Sequence, residues 1–152
     1  MKVEQIMTPN PACCLGDDFV QVAASIMRRL DVGIVPVVDT LGPQGKLVGV
    51  ITDRDLCLGV IAEARDPNIT RVSELMSKHP ETVKPNDTME HVLGHMRHAQ
   101  IRRIPVVNDE FAILGMVSLS DVVRDRATPE GEVCKTLAAI SAPMHRKIAR
   151  AA

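Results

Sequence analysis

Apolar and polar positions along this 152-residue chain form a block that is read twice. In the first block, Val22, Ile26, Met27 and Leu30 recur at helical spacing behind Asp18-x-x-Gln21, a capping-box pattern. A β-rich run "VGIVPVVD" follows, then a turn, a second strand "KLVGVIT" and a second helix opening at Thr52. In the second block, Asp87-x-x-Glu90 precedes Met89, Val92, Leu93 and Met96. "RRIPVVN", a shorter turn, "AILGMVS" and a helix opening at Ser118 complete it. A short leader, "VEQIM" or "VSELM", and an extended piece, "NPACCL" or "HPETVK", stand before each first helix. The predicted order is β-α-β-β-α in each half, an α+β fold.

The registry supports a true duplication. Met7 and Met76 lie 69 positions apart, as do Pro36 and Pro105, whereas Asp55 and Asp121 lie 66 apart. The three lost residues fall in the turn, where deletions are best tolerated. Repeat 1 spans residues 1–62, a linker 63–70, repeat 2 71–127 and a C-terminal tail 128–152. The tail predicts a helix with Val133, Leu137 and Ile140 on one face, stopped by Pro143, followed by a solvated basic end at Arg146, Lys147 and Arg150. One unit of about 55 residues buries too little surface to stand well alone. Two units stacked sheet to sheet with pseudo-two-fold symmetry are expected to share a core.

Composition narrows the function. Apolar residues make up 45% of the chain, net charge is −1, and there are two Phe but no Tyr or Trp. A dedicated nucleic-acid binder would carry a basic face or stacking aromatics. No apolar run reaches the length of a membrane span, and the N-terminus has no signal-peptide pattern. The four cysteines therefore read as reduced thiols of a cytoplasmic protein. No Walker A loop, G-x-G-x-x-G or Ser-His-Asp signature appears, so catalysis is not expected.

Thr52-x-x-Asp55 and Ser118-x-x-Asp121 each follow a strand. By themselves they are helix caps, the hydroxyl taking a backbone N–H and the carboxylate returning one. The duplicated pattern "MTPNP…VPVVD…GVITDRDL" and "MSKHP…IPVVN…GMVSLSDV" resembles a tandem pair of cystathionine-β-synthase (CBS) domains, a Bateman module, over roughly Val3 to Arg124. The resemblance implies a stand-alone regulatory module, commonly a homodimer. Its inter-repeat cleft would bind AMP, ADP, ATP, NAD(H) or S-adenosylmethionine, with AMP, ADP or ATP expected first.

Carried onto this sequence, the resemblance puts Asp55 and Asp121 on ribose hydroxyls, which one carboxylate can accept together. Thr52 and Ser118 would cap the helix or touch phosphate. Cys13 and Cys14, and Thr82 and Val83, would supply the base-binding segment. Ile34 and Val35, and Ile104, would wall the adenine. Arg102 and Arg103 stand where repeat 1 has Gly33 and Ile34, and Arg54 is replaced by Ser120 in repeat 2. Arginine suits bidentate phosphate contacts, so two unequal sites are expected, with Asp53 opposing a triphosphate at the first. Surface ion pairs are the competing role for these arginines. Two other functions compete: a ligand-free interaction module, and a metal site. For the latter, His91 and His95 are spaced i, i+4 with His98 nearby, and Cys13, Cys14 and His79 could meet if the extended segments do.

Overall fold

A computed structural model describes residues 1–143 of the chain; Arg146, Lys147 and Arg150 lie outside the described residues. Repeat 1 contains a 3-10 turn Val3–Gln5, strands β1 (Thr8–Pro9) and β2 (Cys14–Leu15), helix α1 (Val20–Leu30), strands β3 (Ile34–Val38) and β4 (Leu47–Thr52), and a short helix α2 (Asp53–Leu56) running into a π-helical turn Cys57–Ile61. Repeat 2 contains α3 (Val72–Leu75), β5 (Ser77–Lys78), α4 (Met89–Ala99), β6 (Arg103–Val107), β7 (Ile113–Ser118) and α5 (Leu119–Asp125), and helix α6 (Glu130–Ser141) follows. The duplication extends to the backbone. Asn10 and His79, and Asp31 and Gln100, occupy matching positions and all adopt φ between 49° and 53°.

The two first helices start one residue later than the sequence pattern suggests. Asp18 and Asp87 do not cap them. Their carboxylates accept Leu15 N–H (2.8 Å) and Lys84 N–H (2.7 Å) and close the turn before each helix. Thr88 caps α4 by accepting His91 N–H. At α1, Phe19 offers no acceptor, and Val20 N–H donates instead to Thr70 carbonyl in the linker (2.9 Å). Helix α1 buries Val20, Ala23, Ile26 and Met27, whereas the expected Val22 and Leu30 are exposed. Helix α4 buries Met89, Val92, Leu93 and Met96, as its spacing predicts.

Each repeat lends its leader to the other. One sheet runs β2-β3-β4-β5 and the second runs β1-β7-β6, so β5 of repeat 2 edges the first sheet and β1 of repeat 1 edges the second. The reason is visible at two glycines. A Cβ at Gly115 would stand 2.7 Å from Met7 Sδ and 2.9 Å from Thr8 carbonyl; one at Gly49 would stand 2.8 Å from Met76 Sδ and 2.9 Å from Ser77 carbonyl. Only a residue without a side chain lets the incoming leader lie this close. The expected single shared core is therefore two cores. One joins Val3 to Leu93, Met96, Ile104 and Val117; the other joins Val72 to Ala23, Val35 and Ile51. Helix α6 packs on α4 through Val133 and Ile140, with Thr136 buried between them; Leu137, expected inside, is exposed. Among the described residues, no helix is long and apolar enough to cross a membrane.

Gly115→Ala is expected to overpack the leader contact and cost about 1–3 kcal/mol, read as a lower urea midpoint. Because each core holds a leader from the other repeat, the loss should appear in one cooperative transition. A variant in which one repeat melts separately would contradict this exchange.

Candidate functional site

Both hydroxyl–carboxylate pairs form complete capping boxes. Thr52 Oγ1 accepts Asp55 N–H (3.2 Å), and Asp55 Oδ2 accepts Thr52 N–H (2.9 Å). Ser118 Oγ accepts Asp121 N–H (3.2 Å), and Asp121 Oδ2 accepts both Ser118 N–H (2.8 Å) and Ser118 O–H (2.6 Å). The second oxygens differ. Asp121 Oδ1 accepts from the Arg124 guanidinium at 2.6 Å, whereas Asp55 Oδ1 has no hydrogen-bond partner among the described residues. The position that matches Arg124 in repeat 1 is Leu58, which has no donor to offer.

Asp55 opens onto a cleft of about 960 Å³ between the repeats. Its floor is the end of β4 with Val50, Thr52, Asp53, Arg54 and Asp55, and the start of β3 with Gly33 and Ile34. The facing wall comes from repeat 2: Ser77, Pro80 and Glu81 after the exchanged leader, and Gln100 to Arg103 leading into β6. The end of α6 closes one side with Ile140 and Ala142. Gln100 holds that helix end by donating to Ala139 and Ala142 carbonyls (3.0 and 3.2 Å).

The cleft gathers Thr52, Arg54, Asp55, Ile34, Arg102 and Arg103. It leaves out Ser118 and Asp121, and the expected base-binding residues Cys13, Cys14, Thr82 and Val83 are not among its lining residues either. Cys14, Val83, Val35 and Ile104 have side chains buried in the two cores and cannot contact a ligand with them. Cys13 is half-buried and donates its thiol to Pro11 carbonyl, and Thr82 is half-buried outside the cleft. The leader exchange explains the displacement. The extended residues beside Thr52 and Asp55 are Ser77–Glu81 of repeat 2, through the β4–β5 pairing, not those of repeat 1. No periodicity within one repeat signals that crossing.

The cleft is lined by charges of both signs. Three cationic side chains (Arg54, Arg102, Arg103) and three carboxylates (Asp53, Asp55, Glu81) line the cleft. Among the described residues, none of the three arginines forms an ion pair. Arg103 reaches across to repeat 1: its Nη1 would lie 3.7 Å from a Cβ at Gly33, beside the Asp53 carboxylate. Thus Gly33 keeps the floor low where an Arg stands in repeat 2.

One family model, the CBS domain, matches the chain twice, over residues 3–61 and 72–127. The chain belongs to the CBS domain family. It is 38% identical over 128 residues to the CBS domain-containing protein YhcV of Bacillus subtilis (strain 168), covering 84% of this chain and 87% of that one. Its fold superimposes on Hypoxic Response Protein I with two coordinated zinc ions at a TM-score of 0.73 and 29% identity, covering 85% and 100% of the two chains. It superimposes on CBSX2 in complex with AMP at 0.67 and 26% identity, covering 82% and 94%. The Cys13, Cys14 and His79 cluster does not form: among the described residues, no three His, Cys, Asp or Glu side chains are grouped to hold a metal.

Burial raises the Cys13 thiol to about 11 and the Cys14 thiol to about 12, the latter helped by the charge of Asp18 and by Cys13. Folding thus holds both protonated. Their contribution to stability is full below about pH 9 and is lost as pH climbs through 11 to 12. At pH 8, a chromogenic disulfide reagent should titrate the exposed Cys57 and Cys134 quickly, and Cys13 and Cys14 only after denaturation. Fast reaction of all four in the native protein would contradict this placement.

Proposed function

We propose that this CBS pair is a regulatory module that binds one adenine nucleotide per chain in the cleft between its repeats, AMP in preference to ATP. The observation that carries the reading is that Asp55 Oδ1, at a helix N-terminus, has no hydrogen-bond partner among the described residues, and that Asp55 lines one cleft with Arg54 beside it and Arg102 and Arg103 from the other repeat. Asp55 accepts the vicinal ribose hydroxyls while its other oxygen keeps the cap. Arg102, Arg103 and Arg54 meet the phosphate, and Ile34, Pro80 and Ile101 wall the base. Three positive and three negative side chains balance a monophosphate better than a triphosphate. The AMP bound in the related CBSX2 structure supports the ligand class.

Binding, not catalysis, is the activity, and its output is a change in association with a second copy or a protein target. The exposed Leu58 and Ile61 on the turn after α2, and Val123 on α5, give a homodimer its apolar contact. Sedimentation equilibrium with and without AMP should show a dimer; a strictly monomeric chain in both conditions would rule that part out.

A thermal-shift panel of AMP, ADP, ATP, NAD, S-adenosylmethionine and adenosine tests the ligand. At 100 times Kd, a ligand adds about 2.7 kcal/mol, a shift of several degrees for a chain of this size. AMP should shift most and adenosine less. Asp55→Asn keeps an acceptor for Thr52 N–H but loses the charge, and should weaken AMP by about 10- to 150-fold. Asp121→Asn should leave AMP affinity nearly unchanged. A flat panel with the wild type would remove the nucleotide reading, and equal weakening by both variants would remove the assignment to Asp55.

A further inference from the structure

Helix α4 buries Val92, Leu93 and Met96 and turns His91, His95 and His98 to an open groove of about 550 Å³. Two of these imidazoles are held by carboxylates from outside their own pair. His95 Nδ1 lies 2.8 Å from Glu81 Oε2, and His91 Nδ1 lies 3.4 Å from Asp87 Oδ2. Glu81 only accepts, so the proton of a neutral His95 ring belongs on Nδ1, whereas His91 makes no hydrogen bond through its Nδ1. That leaves an unprotonated Nε2 on His95. The two Nε2 atoms face each other at 3.0 Å, with the rings nearly perpendicular at 78°.

With His95 Nε2 unprotonated, His91 Nε2–H can donate to it, and the two nitrogens converge on one point where a metal ion can replace that proton. With metal–nitrogen bonds of about 2.0–2.1 Å, a 3.0 Å separation corresponds to a ligand angle of roughly 90–100°, that of neighbouring positions around one ion. A carboxylate on the far nitrogen is the usual partner that fixes a ligating histidine's tautomer and ring orientation. Imidazole pairs favour late transition ions over magnesium or calcium, in the order Cu²⁺ above Ni²⁺ and Zn²⁺.

We propose that His91 and His95 chelate one divalent late-transition-metal ion through their Nε2 atoms, with Glu81 as a positioning residue for His95. Water completes the coordination, since among the described residues no third His, Cys, Asp or Glu stands in ligating geometry. The site lies outside the seven residues proposed for the nucleotide and stands whether or not the nucleotide binds. Glu81 alone borders both grooves.

The test uses the full chain, stripped with EDTA and dialysed, titrated with Ni²⁺ and separately with Zn²⁺ by calorimetry. Paramagnetic broadening of histidine ring signals by Ni²⁺ locates the ion. One ion per chain is expected, with the His91 and His95 resonances broadened first. His91→Gln and His95→Gln should each abolish this binding, and His98→Gln should preserve it; all three side chains border the open groove, and circular dichroism confirms that each variant is folded. Glu81→Gln should weaken binding by about 10- to 100-fold. Ni²⁺ and Zn²⁺ binding that is absent in the wild type, or unchanged in His91→Gln and His95→Gln, overturns the site. Unchanged binding in Glu81→Gln overturns the positioning role.

Discussion

The close approach of a foreign leader to a glycine in a central strand is the contact on which the rest of this molecule depends. At Gly49 and Gly115 the backbone of the other repeat passes where a side chain would stand. That contact adds an edge strand to each sheet and carries Val3 and Val72 into cores that belong to the opposite repeat. It also sets the cleft. The residues after the leader of repeat 2, Ser77 to Glu81, arrive beside the cap of repeat 1 only because β5 pairs with β4. Neither repeat could build this wall from its own residues.

Duplication produced two frameworks of the same shape, and small substitutions made them chemically unequal. Both caps are intact, so both Asp residues are fixed by the same backbone geometry. Repeat 2 gives its remaining carboxylate oxygen to Arg124, whereas the matching Oδ1 of Asp55 has no hydrogen-bond partner among the described residues. Arg102 and Arg103 line one cleft with Gly33 and Ile34, so cations of one repeat stand in the same cleft as the cap of the other. A site assembled this way draws its acceptor and two of its three cations from different halves of the chain. Relative movement of the repeats would change both together, which suits a module whose output is regulatory.

Much of this was legible in the sequence. The registry of Met7 with Met76 and Pro36 with Pro105 displayed the duplication, and the spacing of Thr52 to Asp55 and Ser118 to Asp121 displayed the caps, because both depend on short-range chemistry. The inner face of α4 was readable for the same reason. What escaped was everything decided by a distant partner. Asp18 and Asp87 look like caps, yet a turn three residues upstream claims their oxygens. Cys14, Val83 and Ile104 sit in segments near the cleft, yet strand alternation points their side chains into the cores. The crossing of the leaders has only a faint trace, the glycine in each "VGV" or "LGM", and the wall formed by α6 has none.

The central claim is that the two caps are unequal and that only the cap at Asp55 serves a ligand. Calorimetric titration of the full chain with AMP counts the sites directly. One AMP per chain, on a single binding isotherm, is the result this account predicts. Two equivalent sites per chain, or no heat beyond dilution, would contradict it.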